Sequence, residues 1–392
     1  NPPPSGITDA GTTGARPQVV SESGSPNTWD GAQVRPEGIM APTDDCLLYT
    51  GNEKCWPYKN HADPCPRGHN LEVEGDNGGP LLMKILTEQV EKRGVRVEYN
   101  CRALTLIADD EGEIHGLVVR IDGEEKNVRA RKGVILCAGG FVMNEEMVKQ
   151  YCPRLKAGSI PIGNPGDTGT GILMGQGAGG ALINMNEAFI TLPFYPPSSL
   201  TYGIFVNAQG QRFVNEDSYH ARIAYQAIRQ TGKGIYLIVS ADDYEHPKFL
   251  NADIAGTGET IEELAEEIGL EPDMLRHTVE FYSEQAARGE DPLFHKSEQW
   301  LKPMEPPFAA LDCTPGSGVI YAYFTLGGLD TLPTGEVLSM EGRVIPGLYA
   351  AGRTACGVPR TADGYASGMS VGDATFFGRM AGRAVAEKPS RS

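Results

Sequence analysis

Two short apolar runs that end in small residues limit the folds open to this chain more than any other feature. Residues 133–138 read GVILCA and precede Gly139 and Gly140, and residues 347–351 read GLYAA and precede Gly352. A continuous apolar run of this length, bounded by glycine, is typical of a strand buried on both faces of a parallel sheet. Small residues at the carboxyl end of such a strand leave room for a ligand. The sequence therefore predicts an α/β fold with a ligand site where these strands end.

Glycine is abundant and falls in pairs beside other apolar runs. The chain has 49 glycines, with pairs at residues 78–79, 139–140, 179–180 and 327–328. Glycine lacks a Cβ atom, so the backbone can approach a ligand or a second backbone closely. This distribution favours an α/β enzyme over a linker-rich or collagen-like chain.

Charge and apolar length exclude two classes of partner. The chain holds 51 Asp and Glu against 34 Lys and Arg, a formal charge of −17. Binding to nucleic acid depends on cationic contacts to phosphate, so nucleic acid is not an expected partner. The longest apolar stretch, residues 133–143, has 11 residues, too few to span a bilayer. We expect neither a membrane span nor, without a basic amphipathic run, attachment to a membrane surface.

The eight cysteines favour reduced thiols over a metal site. Cys65 lies between His61 and His69 with three residues on each side, a spacing that could hold zinc. The region lacks the paired Cys-x2-Cys spacing that makes such a signal specific. We predict no metal site. No signal-peptide pattern is present, so a cytoplasmic location is expected.

Apolar periodicity predicts the main helices and strands. The expected helices cover residues 81–90, 261–268, 274–288 and 370–386. The expected strands cover residues 95–99, 105–108, 114–121, 127–130, 133–138, 235–240 and 347–352, and those from 105 to 130 form a meander. Residues 1–40, half of them Pro, Gly, Ser or Thr, lack either period and predict an irregular or extended arm.

Five segments in a fixed order resemble a known family over residues 45–385. They are residues 133–141 (GVILCAGGF), residues 166–171 with 177–181 (GDTGTG and GAGGA), residues 206–216 (VNAQGQRFVNE), residues 324–328 (FTLGG) and residues 346–352 (PGLYAAG). Together they are similar to the fumarate reductase and 3-ketosteroid dehydrogenase flavoprotein superfamily. Further segments resemble its 3-ketosteroid dehydrogenases, particularly the Δ4-(5α) type: residues 49–54 (YTGNEK), 66–69 (PRGH), 217–222 (DSYHAR), 321–324 (YAYF) and 364–368 (GYASG).

The resemblance implies a fold and its division into domains. It implies an α/β fold made of an incomplete glutathione-reductase-like FAD-binding domain with an inserted α+β substrate cap. The FAD-binding domain would cover residues 41–185 and 317–392, and the cap residues 186–316, after the arm at residues 1–40. The family opens with a strand, Gly-x-Gly-x-x-Gly and a helix, which residues 1–80 lack. Since the chain begins with Asn1 rather than Met, we expect this unit to lie upstream.

The resemblance also implies a reaction and its residues. Such enzymes hold FAD and remove two hydrogens beside a ring ketone: one hydroxyl polarises the carbonyl, another takes the α-proton, and the β-hydride goes to flavin N5. The implied catalytic residues are Tyr219, Tyr365 and Ser367, and the implied pocket for a small apolar steroid contains Tyr321, Tyr323 and Phe324. The residues expected to contact FAD are Ala103, Ala138, Gly139, Gly140, Ala351, Gly352, Gly368, Met369, Ser370 and Val371.

Two alternatives stay open, as does the electron acceptor. The fumarate reductases grip dicarboxylates through arginines, one of which stands where this chain has Tyr365. That difference disfavours a dicarboxylate substrate, although Arg222, Arg353 and Arg360 remain as carboxylate partners. The second alternative is a catalytically silent remnant, without FAD, that binds an apolar ligand or a partner protein.

Overall fold

The computed structural model describes residues 18–21, 52, 54–61, 69–72, 78–156, 159–192, 197–247 and 252–390. The first half contains β1 (Gln18–Ser21), β2 (His69–Glu72), α1 (Gly78–Lys92), β3 (Cys101–Ala108), β4 (Ile114–Ile121), β5 (Glu124–Arg129), β6 (Val134–Leu136), α2 (Glu145–Tyr151), β7 (Ser159–Pro161), α3 (Thr170–Gly177), β8 (Leu182–Ile183) and β9 (Ala188–Ile190). The second half contains β10 (Ile204–Asn207), α4 (His220–Ala227), β11 (Ile235–Ser240), β12 (Ile254–Gly258), α5 (Ile261–Ile268), α6 (Pro272–Ala286), β13 (Phe308–Asp312), β14 (Tyr321–Thr325), β15 (Gly328–Leu329), β16 (Glu336–Leu338), β17 (Val344–Ala350) and α7 (Met369–Glu387). This is the mixed α/β fold that the sequence predicts.

The two apolar runs form buried strands, as predicted, and the structure pairs them with each other in parallel. β6 lies beside β17 with Leu136 opposite Ala350, and β16 pairs antiparallel with the other edge of β17. Val134, Leu136 and Leu348 are buried in one core cluster beneath this sheet. Helix α7 packs on β17, where Ala381 contacts Tyr349 and Ala351. The carboxyl ends of both strands therefore open at one edge, beside the amino-terminal end of α7.

The predicted meander is confirmed, but the prediction of a strand at residues 95–99 is wrong. β3, β4 and β5 pair antiparallel in sequence order, and Ile114 of β4 is buried in the core beneath β6 and β17. Residues 95–98 are irregular and exposed, although Val-Arg-Val-Glu alternates as a strand does. No strand within the described part of the chain pairs with them, so alternation alone is not enough. Instead the first strand of the meander begins earlier than predicted, at Cys101.

A four-stranded antiparallel sheet follows in the order β10-β11-β13-β12. Ile204, Val206 and Ile238 face one core cluster, which α5 and α6 cover, whereas Phe205 and Leu237 face the largest core cluster. Both faces of β10 and β11 are buried, which explains why these two strands read as continuous apolar runs. Helix α5 begins where the Thr260 side chain accepts a hydrogen bond from the Glu263 amide.

Strand β14 connects this sheet to the rest of the fold. It pairs parallel with β7 and antiparallel with β9. The short β8–β15 pair continues the connection toward α3 and the parallel strands. β14 and β9 together place aromatic side chains near the end of α4 at which Tyr219 caps the helix.

The remaining predictions concern the ends and the membrane. Within the expected arm, Gln18–Ser21 are described, and they pair antiparallel with β2. Cys46 and Cys65 lie outside the described residues, as does the centre of the His61, Cys65 and His69 spacing. Of the helices that the structure describes, none is both long enough and apolar enough to cross a bilayer.

Candidate active site

An aromatic cluster of Phe189, Tyr219, Phe324 and Tyr365 lies where β9, β14, α4 and the segment before α7 meet. The rings of Phe189 and Phe324 stack at 4.6 Å with an interplanar angle of 19°. The Tyr365 ring lies 4.5 Å from that of Phe189 and meets Phe324 edge-on at 5.7 Å. Tyr219 is 2% exposed and Tyr365 6%. Two tyrosine hydroxyls are thus carried by an apolar, water-poor cluster.

Each tyrosine hydroxyl forms a hydrogen bond with a serine near the start of α7. The Tyr219 hydroxyl lies 2.9 Å from Ser367 Oγ, and the Tyr365 hydroxyl lies 2.8 Å from Ser370 Oγ. Gly368 adopts φ +82° and caps the helix, which turns the chain sharply between the two serines. The three predicted catalytic residues are therefore brought together, with Tyr219 and Ser367 in direct contact.

Asp363 fixes the segment that carries Tyr365 and Ser367. Its carboxylate accepts hydrogen bonds from Tyr58 at 2.6 Å and from Arg222 Nε at 3.0 Å. Asn52 joins both sides of the site, because it donates to the Asp363 carbonyl and accepts from the Tyr219 amide. Burial, and then the hydrogen bond to Asp363, raise the pKa of Tyr58. We call these four residues, Asn52, Tyr58, Arg222 and Asp363, the Asp363 clamp.

His220 follows Tyr219 and stays neutral. Its ring lies 4.3 Å from the Tyr219 ring and 6.1 Å from Phe189. Burial lowers the pKa of His220 to about 3, because the imidazolium would lose its hydration. His220 therefore contributes an uncharged wall beside the cluster.

Arg353 reaches the opposite side of Tyr365. Its guanidinium lies 5.2 Å from the centre of the Phe324 ring and donates to Ser370 Oγ. Burial lowers the pKa of Arg353, although nearby acidic groups oppose this. None of the ion pairs between described residues includes Arg353.

The ends of β6 and β17 form a cradle that fits a cofactor lying against backbone. Gly139 has φ +76°, and a Cβ there would lie 1.8 Å from Asp167 Oδ1. A Cβ on Gly140 would lie 2.7 Å from Arg353 Cγ. Thr354 donates to the Gly139 carbonyl at 3.0 Å, and Ala138 beside it is exposed. Glycine is required at both positions because Asp167 and Arg353 occupy the space of a side chain, and the exposed Ala138 is where a ligand could approach the turn.

The start of α7 is the second part of the predicted cofactor site. A helix N-terminus attracts an electron-rich group, and this helix has 19 residues. The Met369 amide already donates to the Ala366 carbonyl, so it is not available to a ligand. Val371, in the first turn of this helix, is exposed. Gly352 lies two residues after the end of β17 and has φ +62°. Ala103 lies in β3 beside a bulge and packs against the core beneath β6 and β17.

The structure separates the three predicted pocket residues. Alternation along β14 directs Tyr321 and Tyr323 into the largest core cluster. Tyr321 is fully buried, and its hydroxyl donates to the Cys313 carbonyl. Phe324 points to the other face of the strand and belongs to the aromatic cluster. Of the three, only Phe324 therefore contacts Tyr365.

Several residues of the site were not predicted. Phe189 and Asp363 carry no motif of their own, and Asn52 meets Asp363 across 311 positions. Ser370 was predicted as a backbone contact, whereas its hydroxyl bonds Tyr365 and Arg353. Apolar periodicity along the sequence carries no information about contacts between residues that lie so far apart in the chain. In the sequence, only the resemblance of residues 49–54 and 364–368 to the 3-ketosteroid dehydrogenases indicates that these regions belong to one site.

One group of potential metal ligands occurs among the described residues, in the turn between β3 and β4. It consists of Asp109, Glu113 and His115, whose ligand atoms lie within 4.8 Å of one another. Asp109 accepts hydrogen bonds from the amides of Glu111 and Glu113, and from His115 at 2.7 Å. These bonds hold the turn together and lower the pKa of Asp109, His115 contributing most.

Comparison with known proteins connects this geometry to flavoproteins. Residues 22–368 match the family model described as FAD binding domain. A solved structure of 3-ketosteroid-delta4-(5alpha)-dehydrogenase from Rhodococcus jostii RHA1, in complex with 4-androstene-3,17-dione, is 40% identical. It superposes with a TM-score of 0.80, covering 90% of this chain and 74% of that one.

Curated relatives belong to two reaction types. A fumarate reductase (cytochrome) from Shewanella frigidimarina is 31% identical over 327 residues, which is 80% of this chain and 56% of the relative. A 3-oxosteroid 1-dehydrogenase from Mycobacterium tuberculosis is 27% identical over 366 residues, which is 80% of this chain and 64% of the relative. The chain thus spans about half the length of the fumarate reductase. These findings confirm the resemblance predicted from the sequence.

Proposed function

Because the chain belongs to the FAD binding domain family, we propose that it is an FAD-dependent oxidoreductase that dehydrogenates a 3-ketosteroid. The observation that supports this most directly is the pairing of Tyr219 with Ser367 beside Tyr365, inside the aromatic cluster. A steroid is neutral and apolar, so hydroxyl donors and aromatic walls suit it better than a charged clamp. The steroid dehydrogenases among the similar proteins support the same reaction class.

In this proposal three hydroxyl groups act in different parts of the reaction. Tyr365 donates to the ketone oxygen, which acidifies the neighbouring α-proton. The hydroxyl pair of Tyr219 and Ser367 takes that proton, and we do not assign it to one member. A neutral hydroxyl is a weak base, so proton removal depends on the polarised carbonyl. When bound, FAD supplies the acceptor for the hydride that leaves the β-carbon.

We propose that FAD lies against the ends of β6 and β17. The contacts would come from Ala138, Gly139, Gly140, Ala351, Gly352, Gly368, Ser370 and Val371, with Ala103 and Met369 as weaker candidates. The exposed Ala138 at the end of β6 supports this placement, as do the glycines after it, whose close contacts with Asp167 and Arg353 allow no side chain at the turn. Within the proposal, residues 41–185 and 317–392 belong to an incomplete glutathione-reductase-like FAD-binding domain, and residues 186–316 form the substrate cap.

The likeness to fumarate reductases is the observation that favours a second candidate function, reduction of an unsaturated acid. That reaction needs arginines free to bind carboxylates. Arg222 is already bonded to Asp363, the Trp56 carbonyl and Asn215. Arg353 is engaged by Ser370. Arg353 bonds a single hydroxyl and Arg360 is exposed, so these two arginines remain as carboxylate partners, whereas Arg222 does not. The tyrosine at position 365, where the resemblance places an arginine in the fumarate reductases, makes the steroid reaction the stronger proposal.

Three measurements on purified protein test the proposal. Flavin absorbance shows whether the protein is yellow, and a colourless protein that gains no flavin absorbance when mixed with FAD would support the silent remnant. Dye-coupled oxidation of 3-ketosteroids is then compared with fumarate reduction by a reduced dye. We expect turnover with steroid and little with fumarate. Faster fumarate reduction would assign the protein to the other reaction type.

A further inference from the structure

We propose that Arg353 and Ser370 are positioning residues that direct the Tyr365 proton toward the substrate ketone. This inference rests on the proposed function and extends it from the residues that touch substrate to a chain of hydrogen bonds behind them. The chain runs from the Arg353 guanidinium through Ser370 Oγ to the Tyr365 hydroxyl. We call it the Arg353 relay.

The chemistry of the three groups sets the direction of this chain. Arginine can only donate hydrogen bonds, so one lone pair of Ser370 Oγ accepts from Arg353. Serine has a single hydroxyl proton, and the only other recorded partner of Ser370 Oγ within the described residues is Tyr365. If Ser370 donates to Tyr365, the tyrosine keeps its own proton for a further acceptor. A ketone oxygen beside Tyr365 then completes the chain with every proton used.

A hydrogen bond donated by Tyr365 to Ser370 would be less favourable than the reverse once a ketone is bound. If Tyr365 donated to Ser370, the serine proton would have no recorded acceptor and the ketone would receive no hydrogen bond from Tyr365. The second cost falls at Tyr365, which is buried, and an unmade hydrogen bond is expensive where water is excluded. The positive charge of Arg353 also polarises the Ser370 hydroxyl and makes it a better donor. The arginine thus favours the direction that the reaction needs.

Two contacts hold Arg353 in place for this role. The face of Phe324 supports the guanidinium at 5.2 Å, and Phe324 in turn packs edge-on against Tyr365. On the other side Gly140 leaves space for the arginine stem, since a Cβ there would lie 2.7 Å from Arg353 Cγ. No ion pair between described residues includes Arg353, although the carboxylates of Asp373 and Asp167 lie near enough to interact with its charge. Ser370 Oγ is the acceptor that the guanidinium contacts directly, so the relay begins at this hydrogen bond.

The experiment reads the polarisation of the ketone itself. The probe is 4-androstene-3,17-dione labelled with 13C at the C3 ketone, bound to the protein with and without FAD. A stronger hydrogen bond to the ketone oxygen moves the 13C resonance downfield. Ser370→Ala should move this resonance upfield and lower kcat on the order of tenfold, while steroid Kd changes little. Ser370→Thr, which keeps the hydroxyl, should restore both.

Matched variants separate the relay from a structural effect. Thr375→Ala removes a hydroxyl of α7 that bonds only to carbonyls of its own helix, at Val371 and Gly372, and should change neither readout. Arg353→Lys keeps the positive charge but loses the planar set of guanidinium donors. Its 13C resonance should lie between those of the wild-type protein and Ser370→Ala. Arg383→Met, at an exposed site of α7, is its control. If Arg353→Lys does not fold, the comparison of Ser370→Ala with Ser370→Thr tests the relay on its own.

The outcomes distinguish failure of the relay from failure of the proposed function. A steroid resonance that Tyr365→Phe shifts but Ser370→Ala does not would overturn the relay and leave the proposed function standing. A resonance that neither variant shifts, or no steroid binding at all, would overturn the proposed function. An upfield shift with Ser370→Ala that Ser370→Thr fails to restore would also overturn the relay, since repacking would then explain it.

Discussion

The hydroxyl oxygen of Tyr219 lies 2.9 Å from Oγ of Ser367, although 148 positions separate the two residues in the chain. Tyr219 caps the start of α4, whereas Ser367 lies just before α7. Their approach depends on the Asp363 clamp, because Asn52 bonds the Tyr219 amide and also the Asp363 carbonyl. The pair joins the proposed cap to the proposed FAD-binding domain through side chains that can react.

The first prediction concerns this pair. Tyr219→Phe should lower kcat for steroid oxidation by a factor on the order of 10²–10⁴, the usual worth of a group that moves a proton. Ser367→Ala should do the same, and the double variant should be little worse than either, because both hydroxyls serve one step. Steroid Kd should change little, since apolar burial supplies most of the affinity. Dye-coupled kinetics and a binding titration measure these quantities.

Tyr225, inside α4, provides the control for that cycle. The Tyr225 hydroxyl bonds Glu187, outside the aromatic cluster. Tyr225→Phe should therefore keep near-wild-type turnover. Near-wild-type turnover of Tyr219→Phe itself would end its assignment, and fully additive losses would show that the two hydroxyls act in separate steps.

The second prediction concerns Tyr365, which we assign to the ketone. Tyr365→Phe keeps the ring that packs on Phe189 and Phe324 but removes the donor. We expect kcat to fall by a factor on the order of 10²–10⁴ with little change in the free energy of unfolding. Chemical denaturation run beside the kinetics makes the comparison. A large loss of stability with unchanged turnover would contradict the assignment.

The third prediction concerns the ion pair of the Asp363 clamp. Side-chain exposure is 12% for Arg222 and 35% for Asp363, so water screens the pair in part. Asp363→Asn should lower the free energy of unfolding by roughly 1.5–3 kcal/mol, the range for a hydrogen bond to a charged group. It should also lower turnover, because the segment bearing Tyr365 and Ser367 loses its anchor. Urea unfolding and steroid kinetics test both effects.

The exposed pair of Arg120 and Glu125 serves as the matched control. Glu125→Gln should change the free energy of unfolding by less than about 0.5 kcal/mol, since exposed ion pairs contribute little. Equal effects of Glu125→Gln and Asp363→Asn would show that the clamp has no special role.

The fourth prediction tests the cradle at the end of β6. Gly139→Ala forces a Cβ to within 1.8 Å of Asp167 Oδ1 at φ +76°, so the turn must shift. We expect weaker FAD binding, measured by fluorescence titration of the flavin, together with lower stability. Gly177→Ala, where nothing lies within 4 Å of the new Cβ, should leave FAD affinity unchanged. Equal FAD affinity in both variants would place the cofactor elsewhere.

Local pattern was sufficient for much of the fold. The runs that became β4, β11 and α5 were predicted with the bounds that the structure has. The burial of β6 and β17 followed from their apolar runs, whereas their parallel pairing with each other is seen only in the structure. The strand expected at residues 95–99 is wrong because pairing requires a neighbour, and alternation carries no information about one.

The site was predicted only in part, for a related reason. Motif resemblance identified Tyr219, Tyr365 and Ser367, since these segments keep their residue types in a fixed order. It could not show that Tyr321 points away from Tyr365, because face selection depends on the register of β14 with β9. Nor could it find Asp363 or the Ser370 hydroxyl, whose roles arise from contacts between distant segments.

The last prediction concerns pH and His220. Burial lowers the pKa of His220 in the folded protein to about 3, whereas an unfolded histidine titrates near 6.5. Between these values the unfolded chain binds a proton that the folded chain refuses, so stability is lost as pH falls below about 6.5. At pH 5 this one group should reduce the free energy of unfolding by about 2 kcal/mol relative to pH 7.

His220→Gln removes that titration while keeping a polar side chain next to Tyr219. The variant should be less stable at both pH values, because the packing of the ring against Tyr219 and Phe189 is lost. The difference between pH 7 and pH 5 should nevertheless shrink by about 2 kcal/mol, which urea unfolding at the two pH values measures. His277→Gln, at an exposed position of α6, should keep the full difference. If His220→Gln keeps it as well, the acid sensitivity comes from other groups, and His220 is not the neutral wall beside Tyr219.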